Sequence, residues 1–184
     1  MKILICGKGG CGKSSVTALL AIELAKKGYK VIVVDNDESN FGLHIQLGME
    51  LPKDFAVHFG GKRMVAEKLL ESKGGEGERF SVFAEGIRAS DIPGDYMSKK
   101  GRINLLAIGK IRDFGEGCAC PFNALSADLL RMLKLNEGEL DQNKVVSVIP
   151  EDKRVFRNGL VGEALNFELK GVEELADFLE SRGS

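Results

Sequence analysis

The 184-residue sequence predicts an α/β fold built on a mainly parallel sheet. Two patterns support this. "KILICG" (2–7) is an apolar run ending in glycine; a glycine-rich loop, an amphipathic stretch and a second apolar run, "YKVIVVDND", follow it. That order is a strand–helix–strand unit with the loop at the carboxyl end of its first strand. Further on, the apolar runs "RINLLAIGKI" (102–111) and "KVVSVIP" (144–150) alternate with helical patterns.

Each element has its own signature. The first run is apolar throughout, as expected of a strand buried in a parallel sheet. From Ser14 to Lys27, Val16, Leu19, Leu20 and Leu24 fall on one side of a helix, and Gly28 supplies its stop. "DFAVHFGGKRMVAEKLLES" contains a helix from about Lys62 to Ser72, and "KGGEGE" after it reads as a loop tip. Residues 102–111 give the third strand. "CPFNALSADLLRMLKL" is a helix with Pro121 in its first turn, where a missing N–H costs nothing. "KVVSVIP" is a fourth strand, and "GVEELADFLESR" a closing helix with Val172, Leu175, Ala176 and Leu179 at helical spacing. No repeat or linker divides the chain, so residues 1–184 read as a single domain.

Composition narrows the function classes. Hydrophobic residues make up 43% of the chain, enough for a packed core, and the net charge of -1 gives no field for steering onto nucleic acid or an anionic membrane. No apolar run reaches the roughly 18–20 residues of a membrane span. "MKILICG" runs straight into the loop, so no signal peptide is expected. The four cysteines, two of them around the loop, do not form the framework of a secreted protein, and a reducing, cytoplasmic location is expected.

The loop "CGKGGCGKSSV" (6–16) carries the chemistry. Gly7, Gly12, Lys13 and Ser14 satisfy G-x-x-x-x-G-K-[ST]. In such a loop, backbone N–H groups at a helix start point inward at phosphate, and glycines permit the close approach. Lys13 reaches the β- and γ-phosphates and the Ser14 hydroxyl ligates Mg²⁺. Gly9, Gly10, Cys11 and Ser15 complete the cradle. Lys8 is one lysine more than the loop needs. It cannot easily fold back onto phosphates that Lys13 already holds, but it can reach the nucleotide of a second subunit, where a positive charge stabilises the transferring phosphoryl group.

Cys118 and Cys120 form a C-x-C pair just before a helix. Neighbouring thiolates grip a soft or borderline metal, and a helix start lowers a thiol pKa. One pair gives two ligands where a closed site wants four, and a two-fold dimer supplies the rest. Two small residues in a tight turn are the plainer alternative; a redox disulfide is not expected, because C-x-C closes a strained small ring. Cys6 is expected in the core, and Cys11 as a small filler of the loop. His44 and His58 stand apart without ligand spacing and read as structural.

"KGGCGKSS" resembles the deviant Walker A motif K-G-G-x-G-K-[ST] of septum-site ATPases, plasmid-partitioning ATPases, the nitrogenase iron protein and metal-cluster scaffold ATPases. The resemblance implies a three-layer P-loop NTPase fold with ATP/ADP and Mg²⁺ as cofactors, and a nucleotide-sandwich homodimer across which Lys8 acts. In that class an acid at the end of the second strand orients the attacking water. Of the two acids in "VVDND", Asp37 takes that role by its place in the motif, with Asp35 nearer the metal; capping of a helix or turn is the alternative for both. Taken with "DIPGDY", "NLLAIGKIRDFGEGCACPFNAL" and "VIPED", the loop resembles the nickel-insertion accessory ATPases of carbon-monoxide dehydrogenase (CooC type). That resemblance implies Ni²⁺ or Zn²⁺ on paired Cys118 and Cys120, carbon-monoxide dehydrogenase or a related nickel enzyme as client, and base recognition by Pro150 and Asp152.

The sequence departs from that family at one place. The strand ending in a magnesium-binding aspartate (Walker B), and the switch segment after it, are not found; they are missing between about Leu140 and Lys144. A hole there would open the centre of a parallel sheet beside "KILICG". A short form that closes its sheet otherwise, a partner chain that supplies strands, and a segment omitted from the sequence all remain open. A nucleotide-binding dimerisation module that does not hydrolyse is the second reading. A partitioning-type ATPase acting on DNA or a membrane is a third, and it lacks the basic patch.

Overall fold

The strand "VIVVD" is ordered by a partner far along the chain. Its computed structural model describes residues 2–7, 10–39, 41–71, 81–83, 85–111, 120–134, 164–165 and 170–182. Within them, β1 (Val31–Asp35) runs parallel to β3 (Ile103–Ala107), in register from Val31 opposite Ile103 to Asp35 opposite Ala107. On the other side of β3 lies β2 (Met97–Lys100), antiparallel, with Met97 opposite Leu106. The sheet order is therefore β1-β3-β2. Lys100 and Ile103 close the β2–β3 pairing around a two-residue turn, and Gly101 supplies its left-handed φ of 57°.

Side chains alternate across this sheet and split the core in two. Val33, Ile103 and Leu105 face α1 (Lys13–Lys26), the short α2 (Leu43–Leu47) and α5 (Lys170–Arg182), where Leu19, Leu20, Leu24, Leu47, Val172 and Ala176 are buried. Ile32, Val34, Leu106 and Ile108 face α3 (Gly61–Glu71) and α4 (Cys120–Met132), with Phe55, Val65, Phe122, Leu125 and Leu129. The result is an α/β fold of helix, sheet and helix layers. Gly28, at φ 96°, ends α1 as expected, with the Tyr29 N–H bonded to the Leu24 carbonyl. His58 stacks on Phe55 and is set edge-on against Phe59 and Tyr96.

The first predicted strand is a correction. Residues 2–7 are not part of the sheet; Ile3 is 42% exposed and Leu4 78% exposed, while Ile5 packs partly on the α1 side of the core. An apolar extended segment becomes a strand only where another strand offers its hydrogen-bonding edge, and among the described residues none does so. Cys6 leaves the core with it, and Cys6 and Cys11 are both exposed. "KVVSVIP" and "KGGEGE" lie outside the described residues.

Candidate functional site: a phosphate loop and an acid-bearing strand end

The loop is held by the helix that follows it. Gly10 and Gly12 take left-handed φ values of 77° and 85°, and Gly12 caps α1, accepting the first helical bond from the Val16 N–H at 3.0 Å. A Cβ at either glycine would meet nothing within 4 Å, so open space lies over the turn. At Gly7 the reverse holds: a Cβ would sit 2.5 Å from Cys11 Sγ and 3.8 Å from Lys13 Cγ. Cys11 thus folds over Gly7, and the Lys13 stem bends back along the same stretch. Lys13, Ser14 and Ser15 are half-buried in the first turn of α1. Consecutive amides at a helix start, with an ammonium stem bent back over them, form an anion site. Lys8 and Gly9 lie outside the described residues, as do Cys118, Pro150 and Asp152.

The second half of the site is the carboxyl end of β1. Asp35 is buried, and both of its oxygens have partners: Oδ1 accepts the Asp37 N–H at 3.1 Å, and Oδ2 accepts Lys110 Nζ at 2.7 Å. Lys110 Nζ also donates to the Asp37 carbonyl at 2.5 Å, and the Phe41 ring lies 5.5 Å from it. Asp37 is half-buried, and its Oδ1 accepts the Ser39 N–H at 3.2 Å and the Ser39 hydroxyl at 2.9 Å. Both Asp35 oxygens are thus engaged inside the protein, one by an amide and one by a buried ammonium. The Ser14 hydroxyl, half-buried at the helix start, fits a hard cation held between protein and phosphate.

Cys120 opens α4 with Pro121 next to it, as expected for that proline. Contrary to the expectation of thiols here, its sulfur is in a disulfide, so metal ligation there requires reduction first. Among the described residues, no group of three or more His, Cys, Asp or Glu is placed to hold a metal ion. α4 is nevertheless tied to the acid segment: Asn36 Nδ2 donates to Asn123 Oδ1 at 3.1 Å. Phe122 lies so close over Gly109 that a Cβ there would come within 2.5 Å of its ring. An open hollow of about 600 Å³ lies elsewhere, along residues 48–53 and 94–100, and holds neither the loop nor the acids. It is a shallow groove whose Lys53 is paired with Asp95, so the loop geometry is the better guide to function.

Sequence reasoning missed Lys110 and the Asn36–Asn123 bond. The only signal for Lys110 was a lysine inside an otherwise apolar run, "LLAIGKI". For the asparagines there was none, since 87 residues separate them.

Comparison with known proteins agrees with this geometry. The family model described as the CobQ/CobB/MinD/ParA nucleotide binding domain matches residues 2–150. An uncharacterized ATP-binding protein of Methanocaldococcus jannaschii is 36% identical, with 97% of this chain and 99% of that protein covered. That alignment has 249 positions against the chain's 184 residues, so at least 65 of its positions hold no residue of this chain. The carbon monoxide dehydrogenase accessory protein CooC of Rhodospirillum rubrum is 32% identical over 139 residues, which are 76% of this chain and about half (52%) of CooC. The septum site-determining protein MinD of Escherichia coli K12 is 26% identical, covering 96% of this chain and 64% of MinD. No solved structure matches. On the family match across most of its length, the chain belongs to the CobQ/CobB/MinD/ParA nucleotide-binding domain family.

Proposed function

We propose that this chain is an ATP-binding and ATP-hydrolysing metallochaperone that loads nickel into carbon-monoxide dehydrogenase or a related nickel enzyme. The observation that carries the nucleotide half is the loop: two left-handed glycines under open space, with Lys13 bent back along it. Gly7, Gly9, Gly10, Cys11, Gly12, Lys13, Ser14 and Ser15 cradle the phosphates, and Ser14 holds Mg²⁺, which neutralises phosphate charge when bound. Asp37 orients water. Lys8 acts across a homodimer, and Pro150 with Asp152 contacts the base. The CooC relative, and a C-x-C pair at the start of a helix, support nickel or zinc as cargo on Cys118 and Cys120.

The chain is an internally shortened member of its family. Supporting this are the alignment positions of the Methanocaldococcus relative that hold no residue here, and the unladdered state of residues 2–7. The same facts favour the second reading, a module that binds nucleotide and dimerises without turnover.

Phosphate release and metal titration under reductant, on the whole chain, separate the readings. The metallochaperone reading expects ATP turnover that Lys8→Ala lowers by about tenfold or more, and one metal ion per dimer that Cys118→Ser with Cys120→Ser abolishes. Nucleotide affinity without turnover would leave the module. Metal binding that survives the double serine variant would refute the cysteine site.

A further inference from the structure

We propose that Lys110 is a positioning residue for the nucleotide site: its ammonium fixes the turn that presents Asp37, acting through Asp35 and the Asp37 main chain rather than on any reacting atom. What Asp37 does with its carboxylate rests on the reading above. The fixing itself does not.

Lys110 follows directly from the end of the sheet. The Ile108 N–H continues the parallel ladder to the Asp35 carbonyl at 3.0 Å, and the Ile111 N–H donates to the Glu38 carbonyl at 2.9 Å. Lys110 lies between these two bonds, and its side chain is 0% exposed against 7% for Asp35. Burying such a pair is expensive, and well-packed apolar residues of similar volume usually do as well or better for stability. Stability alone is thus a weak reason for a lysine here. Geometry is a stronger one. A single ammonium bonds a carboxylate oxygen of residue 35 and the carbonyl of residue 37, while the other carboxylate oxygen takes the amide of residue 37. Both main-chain groups of Asp37 are therefore pinned from one buried point. An apolar side chain could fill the volume, but it has no proton to give the Asp37 carbonyl. Phe41, with its ring 5.5 Å away, covers the cation.

The test compares the whole chain with Lys110→Met and with Asp35→Asn/Lys110→Met. The single variant leaves a buried carboxylate unpaired and should melt well below the wild type. The double variant removes both charges and should regain most of that melting temperature. If Lys110 positions Asp37, the double variant still loses about tenfold or more in kcat for MgATP with KM within about threefold. Its amides at residues 37–39 and at Ile111 should exchange with deuterium about tenfold faster by NMR, while Val33 and Leu105 keep wild-type rates. A double variant with wild-type kcat, or with wild-type exchange at 37–39, overturns the proposal. A wild type that binds nucleotide without turnover would sink the enzyme reading alone, and the exchange rates would then decide.

Discussion

"KILIC" and "VIVVD" are equally apolar, yet they meet opposite fates. VIVVD becomes β1, in register with β3 over five residues and with Val33 buried. The first run stays outside the sheet, and Leu4 is 78% exposed. Composition cannot account for the difference; a partner edge can. Strand preference measures fit to a neighbouring pleated surface, and among the described residues β1 has one and the first run has none. The consequence reaches the site. The acid-bearing end of β1 is fixed by the ladder, by the Ile108 bond and by Lys110, whereas the phosphate loop is fixed by α1, which follows it.

One substitution made in both runs tests this contrast, and it carries the largest expected effect. Val33→Asp places an unpaired carboxylate in the α1 side of the core and should cost more than ~4 kcal/mol, enough to abolish cooperative unfolding. Leu4→Asp should stay within ~0.5 kcal/mol, as for an exposed position. Urea melts of both variants measure it. If Leu4→Asp unfolds the chain as Val33→Asp does, residues 2–7 are covered in solution by a strand from elsewhere, and the contrast is broken.

Residues 81–83 show a second way to hold a segment that lacks a ladder. The Val82 N–H donates to Asp128 Oδ2 at 2.7 Å, and Asp128 Oδ1 accepts Arg131 Nη2 at 2.5 Å, with the Asp128 side chain only 1% exposed. A buried carboxylate here does the work of a strand edge. Asp128→Ala should cost about 2–3 kcal/mol, chiefly from the orphaned amide, because Arg131 at 40% exposed can turn to water. Thermal melts of Asp128→Ala beside Arg131→Ala check the division. A larger loss from Arg131→Ala would place the stabilisation in the ion pair instead.

How far the sequence could be read follows the same line. Features with a local cause were legible: α1 with its Gly28 stop, α4 beginning beside Pro121, and the glycine loop with Lys13 and Ser14 at the helix start. Features that depend on distant chain were not. Strand β2 was missed because its pairing comes through the Gly101–Arg102 turn, although "KKGR" carried a turn signal. Residues 2–7 lie outside the sheet because no strand among the described residues offers them an edge, which no local pattern records. At the site, Asp35 and Asp37 were legible from their place at the end of a strand, with Asp37 expected at the water and Asp35 nearer the metal. The 2.7 Å bond from Lys110, which no local pattern announced, shows Asp35 anchoring the turn that carries Asp37.

The far end of α1 offers the smallest effect, and one that pH can tune. There, Lys27 Nζ bonds Asp177 Oδ1 at 2.5 Å and the Tyr29 hydroxyl donates to Glu180 Oε1 at 3.2 Å, joining α1 to α5. The hydrogen bond to Asp177 raises Lys27 above its ordinary 10.5, and desolvation, with Glu180 adding to it, raises Tyr29 above 10.0. In both cases the fold favours the protonated form. Their contribution is therefore complete below about pH 10 and drains away as pH climbs through the raised values. Both groups sit at the rim, where water and salt screen them, so the gain is slight. The melting temperature of the wild type should exceed that of Lys27→Met/Tyr29→Phe by a small margin that is constant from pH 7 to 9 and closes above pH 10. A margin that stays flat through the alkaline range would mean that titration of the rim contributes nothing and that α5 is held on α1 by its apolar face, Val172, Leu175, Ala176 and Leu179.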